Sequence, residues 1–404
     1  MSTLSARSPE TGPIGPILCV AIDRRDGTQH MCSRSALYSL SAAGVLALAA
    51  GSEEVGFQDG VGAAVRFNYP QGIAVDDEGA VLIADTLNHA LRRATRAEHG
   101  CAHTVCTIAG LGGVGGWAEG CGARALFSKP WGIVVDASGS LFVADARNHC
   151  VRRVAPEDRC GRQEWRVTTL AGKPQEQGLA DGQNGAALFN SPQGLALHRS
   201  TGAIVVADCN NNCIRIIEDG RVTTTAGMGG NKADGYQQLN RPCSVACDAK
   251  LNVWVADRGN CRICRIPAHS GRVSTVDCQV DGQSAVAGGD ADGQHVSAHT
   301  RLGEPVALAL DAQGRLLVAE YSNPACLRLL RADLCWSFAR ILFIGLLTGR
   351  TCRGGRGGSG GEETVSADVR CAFSILPVEG EKGLVCPILS RIIELVCVLH
   401  GFRG

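Results

Sequence analysis

Aromatic side chains are scarce, only 4% of the 404 residues, and neither sign of charge is in excess: 39 Lys and Arg face 39 Asp and Glu. That balance excludes a protein that holds nucleic acid or a membrane surface by bulk electrostatics, although a local patch would survive the averaging. The first residues, MSTLSARSPETGPIGPILCVAID, lack a basic segment followed by an apolar stretch, so no secretory leader is expected. No apolar run is suited to a membrane span. Leu334 to Leu347 is interrupted by Arg340 and falls short of the roughly 20 residues a helix needs. Helical periodicity is also missing between the apolar clusters. The single Gly-x-Ser-x-Gly match, Gly357-Gly-Ser-Gly-Gly361, lies in a glycine run and not between a strand and a helix, so it does not read as a hydrolase elbow.

What the chain has in quantity is glycine, 52 residues, and cysteine, 20 residues. Abundant glycine with few aromatics suits many short strands joined by tight turns, an all-β protein. At this length the core can belong to one large all-β domain or two smaller ones. The cysteines are scattered, often inside apolar runs such as Val245-Ala-Cys-Asp248. Small secreted domains instead space cysteines through polar loops. The expectation is a reduced, cytoplasmic protein whose cysteines act as small buried apolar side chains.

One phrase recurs five times. The first copy reads Pro70-Gln-Gly-Ile-Ala-Val-Asp76, Gly79, Val81-Leu-Ile-Ala-Asp85 and Asn88-His-Ala-Leu-Arg92. Later copies start at Pro130, Pro192, Pro242 and Pro305, and carry Asp145, Asp208, Asp257 and Glu320 followed by Asn148, Asn211, Asn260 and Asn323. The spacing from Pro70 to Asp85 is kept in every copy except the third, where it is one position longer, and the spacing from acid to Asn never changes. The starts themselves are unevenly spaced, so the variation sits in connections, as it does when one supersecondary unit is repeated. Each unit parses into Ile73–Val75, Val81–Ala84, Leu91–Ala94 and an outer strand, here Val105–Gly110, later Val167–Gly172 and Val222–Gly227. Four strands of about five residues describe a propeller blade.

The Asn88-His-Ala-Leu91 and Asn148-His-Cys-Val151 stretches, with the Ala-Asp strands before them, resemble the NHL repeat. The connectors that run through Asp59-Gly60, Phe67 and Pro70, then Glu119-Gly120, Phe127 and Pro130, then Asp181-Gly182, Phe189 and Pro192, are similar to NHL connectors. The resemblance covers residues 45 to 330. It implies a β-propeller of four-stranded blades, six in most relatives, with the Pro-x-Gly strand innermost. Five copies are clear. Two departures stand out in the fourth, Leu251 at the turn glycine and Cys264 at the third-strand arginine; the fifth has Pro324 after its Asn. Residues 17–51 read as a degenerate first blade that joins C-terminal strands, because a closed ring leaves no sheet edge. The expected organisation is a disordered 1–16, a propeller over 17–348, a Gly-rich linker over 349–369 and a C-terminal segment over 370–404.

The candidate binding positions follow the repeat prolines: Gln71, Trp131, Gln193, Cys243 and Val306. They begin the innermost strands, at the channel mouth if the family fold holds, and they vary while their neighbours stay constant. Trp131 is the leading anchor, a large amphipathic ring at a rim. The acid series Asp85 to Glu320 reads instead as acceptors for turn N–H groups, since one residue per blade is too dispersed to share an ion. His89 and His149 align with Asn212 and Cys261, which suits a turn filler. Arg92, Arg93, Arg152, Arg153, Arg215, Arg265 and Arg328 recur near the third strand and could band together for RNA phosphates, or snorkel and pair with acids. Cys261-x-x-Cys264 has half a zinc spacing with no second pair, and Gly112–Gly116 lacks a following Lys-Ser/Thr, so neither zinc nor nucleotide is expected. The expected function is a protein- or peptide-binding scaffold without cofactor or metal. An RNA-binding propeller is the alternative. A channel-metal lyase or lactonase-like enzyme is disfavoured, because Gln, Trp, Cys and Val make a poor ligand set. Related propellers follow RING and B-box modules in ubiquitin ligases, but no such zinc array precedes these repeats, so that activity is not carried over.

Overall fold

The computed structural model describes residues 15–97, 102–159, 162–227, 238–268, 270–277, 303–321, 326–331 and 342–345. The chain divides into a unit Met1–Thr348, which holds all of these, and a unit Gly349–Gly404. The expectations for 349–404, for residues 1–14, and for Asn323 and Pro324 fall outside the described residues.

The described chain is all-β and contains no α-helix. Six antiparallel sheets succeed one another along the sequence, each a meander that starts from an inner strand. The inner strands are Cys19–Ile22, Gly72–Val75, Pro130–Val135, Pro192–Leu197, Pro242–Cys247 and Glu304–Leu310. Each packs against the next, and the sixth packs against the first, which closes the ring. We number the sheets as blades one to six. No described helix is long and apolar enough to cross a membrane.

The first blade corrects the sequence reading. It is complete from its own residues: Cys19–Ile22, Gln29–Cys32, Ala36–Leu40 and Leu46–Gly51 form a full four-stranded sheet. Among the described residues no C-terminal strand joins it. Closure comes from face-to-face packing, with Ala307, Leu317 and Ala319 of blade six in one buried cluster with Cys19, Met31, Leu37 and Phe67. Apolar burial closes the ring without strand exchange. The sixth sheet ends with Leu342–Gly345 paired to Cys326–Arg331, so part of the apolar Leu334 to Leu347 run serves as the outer strand of this blade.

In blades two to four the connector adds a fifth, two-residue strand to the outer edge. Gly60–Val61 pairs with His103–Ala109, Gly120–Cys121 with Arg162–Ala171, and Gly182–Gln183 with Arg221–Ala226. These segments cover part of an edge that would otherwise offer free N–H and C=O groups.

The Asp-x-x-Gly turn between the first two strands shows how strongly context imposes local geometry. Gly79, Gly139 and Gly314 sit at φ of 86°, 78° and 73°. Leu251, which replaces that glycine, is held at φ 63° and makes the same turn bond, its N–H to the Asp248 carbonyl at 3.1 Å.

Candidate functional site at the channel mouth

Antiparallel register brings three pieces of each repeat to one end of its sheet. Pro130 pairs with Asp145, Pro192 with Asp208, Pro242 with Asp257 and Pro305 with Glu320. The inner-strand start therefore lies beside the turn that follows the acid. In blades two to five that turn is a single 3-10 turn, such as Thr86–Asn88, Ala146–Asn148 and Cys209–Asn211. It ends on a left-handed residue: His89, His149, Asn212 or Cys261, at φ between 51° and 56°.

The acids are structural, as expected, but their donors are not those anticipated. Asp85 accepts from the Asn68 N–H at 2.8 Å, well ahead of the turn, and from Asn88 Nδ2 at 2.8 Å and Arg92 at 2.7 Å. Asp145 repeats the pattern with Ser128, Asn148 and Arg152, and Asp208 with Asn190, Asn211 and Arg215. Burial pushes Asp85, Asp145 and Asp208 up to about 6, while these donors pull the other way, so all three are predominantly ionised at neutral pH and above.

Arg92, Arg152 and Arg215 are 0% exposed. Each lies over a buried connector ring, Phe67, Phe127 or Phe189, at 5.0–5.4 Å. They are fully enclosed and present nothing to a phosphate backbone. The basic band read from the sequence does not form from these three. In blade five Cys264 takes the arginine position, and Arg262 supplies the cation, its Nε 2.6 Å from Asp257.

The turn histidines do more than fill a turn. The backbone N–H of Lys129 donates to His89 Nδ1 at 3.0 Å, and that of Ser191 to His149 Nδ1 at 3.0 Å. The N–H of Arg241 donates to Asn212 Oδ1 at 2.8 Å. Each bond crosses from one blade to the next. The donating residues precede the repeat prolines and, with Tyr69, are themselves left-handed: Tyr69, Lys129, Ser191 and Arg241 lie at φ 50–54°. Such backbone persists only where the surroundings enforce it.

Only a neutral imidazole accepts this bond. Burial, then the charge of Lys129 or Arg147, lowers the pKa of His89 and His149 below 6.5. A depressed imidazole contributes stability that is present above pH 6.5 and lost as pH falls through the folded-state value. The aspartates have the opposite sign: their raised folded pKa relieves a burial cost as pH falls through about 6. Replacing both histidines by asparagine, which already serves at Asn212, isolates the histidine contribution. We expect His89→Asn/His149→Asn to match wild type in urea unfolding under mildly alkaline conditions and to exceed it in stability under mildly acidic ones. Parallel curves at every pH would show that the imidazoles carry no such linkage.

The five sequence-selected residues surround the mouth. Gln71, Trp131, Cys243 and Val306 line a cavity of about 180 Å³, and Trp131 and Gln193 line an adjoining one of about 230 Å³. Trp131 and Arg258 border both. Trp131 is half-buried, whereas Cys243 is 2% and Gln193 8% exposed. Cys243 donates to the Pro305 carbonyl at 3.3 Å, and burial pushes its thiol up to about 12. It is protonated at neutral pH and a poor nucleophile.

Sequence reasoning missed Leu18, Tyr69, Lys129, Arg147, Arg241 and Arg258, which also line the two cavities. The signal was present. Tyr69, Lys129 and Arg241 precede repeat prolines, and Arg147 and Arg258 lie in the turns after Asp145 and Asp257. Among the described residues no group of three or more His, Cys, Asp or Glu is placed to hold a metal ion.

The NHL repeat family model matches residues 67–93, 127–154 and 189–217, each stretch running from the buried connector phenylalanine into the third strand. The chain is an NHL-repeat β-propeller. It is 27% identical over 307 residues to human NHL repeat-containing protein 2, a match that covers 68% of this chain and 40% of that one. The cattle protein of the same name is 28% identical over 310 residues, with the same coverage. The match thus spans about two fifths of the length of these curated relatives. Among solved structures, a catalytically inactive virginiamycin B lyase from Staphylococcus aureus with quinupristin has a TM-score of 0.49 at 12% identity, covering 82% of this chain and 85% of that one. A gluconolactonase from Xanthomonas campestris also has a TM-score of 0.49, at 13% identity, covering 78% and 87%.

Proposed function

We propose that this propeller is a protein-interaction scaffold that takes a protein or peptide partner at the mouth of its central channel. The observation that carries the reading is Trp131, a half-buried ring that forms the shared wall of two adjoining cavities. A half-buried, rigid aromatic in a cavity wall is a common form of binding hot spot. The inner-strand starts, Leu18, Gln71, Trp131, Gln193, Cys243 and Val306, offer shape and hydrogen bonds. As a donor set they are poor ligands for a catalytic cation, which argues against a lyase-like channel metal. The buried cysteines, among them Cys32, Cys150 and Cys213, pack as small apolar groups, which supports a reducing, cytoplasmic setting.

The test is affinity capture of the tagged full chain from its own cells after ultraviolet crosslinking, beside a Trp131→Ala/Gln71→Ala variant. We expect a discrete protein partner in the wild type and at least a tenfold loss in the variant, since hot-spot truncation costs about 2 kcal/mol or more. A partner held equally by both proteins would move the site away from the mouth. RNA recovered at low salt and released at high salt would put an RNA-binding propeller in its place.

A further inference from the structure

The second cavity at the mouth has a chemical character that the first lacks. Lys129, Arg147 and Arg241 all border it. None of the three forms an ion pair with a described residue, whereas Arg92, Arg152, Arg215 and Arg262 on the third strands are tied to carboxylates. A fourth cation on its wall, Arg258, is paired with Glu304 at 2.8 Å. Three cations without a carboxylate partner thus converge on one concave region of a chain whose charges balance overall. Protein walls of low dielectric focus such a field on whatever enters.

We infer that this cavity, between blades three, four and five, is a carboxylate-binding subsite, and that the occupant of the mouth is an acidic peptide with an apolar side chain next to its carboxylate. The inference rests on the scaffold reading and specifies its partner. Arg147 and Arg241 are exposed, and each can take a carboxylate in a bidentate pair. The cations are also held in place. Lys129 and Arg241 sit on left-handed backbone stapled to the preceding blade by His89 and Asn212. Arg147 projects from a 3-10 turn, and its own N–H bonds the Ser128 carbonyl at 3.0 Å. Backbone ordering is therefore largely complete before a ligand arrives, and the cost of binding is lower for it.

The adjoining cavity supplies the second half of the specificity. Leu18, Tyr69, Val306 and Tyr321 surround its side of Trp131. A ligand that fills both places a carboxylate on one side of the indole and an apolar group on the other. The size also favours a peptide over RNA. About 230 Å³ and 180 Å³ suit one or two side chains each, whereas a nucleic-acid strand needs cations along an extended track. Arg92, Arg152 and Arg215, which would have extended such a track, are enclosed.

Fluorescence anisotropy on the full chain tests this. The probes are an array of labelled decapeptides in which Asp or Glu neighbours Phe or Leu, the same peptides with Asn or Gln for each acid, and a uridine decanucleotide. We expect acidic peptides to bind, their amide counterparts to bind at least tenfold more weakly, and Arg147→Ala/Arg241→Ala to lose at least tenfold for the acidic set only. Both arginines are exposed, so the variant should melt like wild type. Equal affinity for amide peptides, indifference to the double substitution, tighter binding of the RNA, or no peptide binding at all would each overturn the inference. The outcomes separate from those of the scaffold reading. A cellular partner lost with Trp131→Ala but kept by Arg147→Ala/Arg241→Ala sinks the carboxylate subsite alone, and a partner indifferent to both sinks the mouth itself.

Discussion

Asp145→Ala is expected to destabilise the propeller by about 3–5 kcal/mol, the range for removing one partner of a buried ion pair, and by more than Asp85→Ala or Asp208→Ala. The three sites look alike locally but differ in their second carboxylate. Arg92 also contacts Asp59 at 2.6 Å, and Arg215 contacts Asp181 at 2.7 Å. In blade three the corresponding residue is Glu119, which accepts from the Thr169 N–H at 2.7 Å instead. Asp145 is the carboxylate paired with Arg152 among the described residues, at 3.0 Å. Removing it leaves a guanidinium that is 0% exposed without a counter-charge, and takes an acceptor from the Asn148 amide and the Ser128 N–H. Urea midpoints for the three alanine variants measure the ranking. Equal losses at all three would show that the connector acids give no support. Asp145→Ala/Arg152→Met should recover part of the loss, because the uncompensated charge goes with the arginine.

Gly132→Ala is expected to have a comparable effect through sterics alone, about 3 kcal/mol or more, at the upper end of overpacking penalties. The Pro-x-Gly glycine lies where neighbouring inner strands approach backbone to backbone. A Cβ on Gly132 would lie 2.3 Å from the Gln193 carbonyl oxygen and 2.9 Å from the Leu195 nitrogen. Those atoms belong to the next blade's inner strand and cannot swing aside as a side chain would, so blades three and four must separate. Gly139→Ala provides the control. Nothing lies within 4 Å of its Cβ, and the cost there is the left-handed φ of 78° alone, about 1 kcal/mol. If both variants unfold at the same urea concentration, the inner strands have more slack than the packing indicates. Gly132 also adjoins Trp131, so the surviving folded fraction should bind a mouth ligand more weakly.

The blade unit was legible because its constraints are local. A period of two, a proline and an acid held at the Pro70-to-Asp85 spacing, and glycine at tight turns specify strand, turn and strand without reference to the rest of the ring. Blade one was misjudged for the same reason. It lacks the acid-x-x-Asn turn, yet its four strands pair as fully as those of later blades. Hydrophobic alternation with neighbours on both sides was enough to specify it. Loss of the arginine at Cys264 looked like a broken repeat. Arg262, two positions earlier and so on the same face of the strand, replaces it at Asp257.

The histidines and the rim cations were harder to interpret. Alignment of His89, His149 and Asn212 suggested tolerance, whereas the shared property is a lone pair aimed at the next blade's N–H. Partners that belong to another blade leave no periodic trace, so this function was invisible to pattern alone.

By itself, then, the sequence determined the all-β class, the repeated blade, the turn chemistry and the residues that begin each inner strand, because all of these are set within a single strand–turn–strand stretch by sterics and side-chain alternation. The tertiary structure alone decided how the ring closes, which arginines are enclosed, and which cations share a cavity. Alternation states that Arg92 and Arg93 point to opposite faces, but not that a connector carrying Phe57 and Phe67 covers one of them. Lys129 and Arg147 come from blade three and Arg241 from the start of blade five, with the whole of blade four between them in the chain. Only the accumulated packing of one blade on the next brings them to a single mouth.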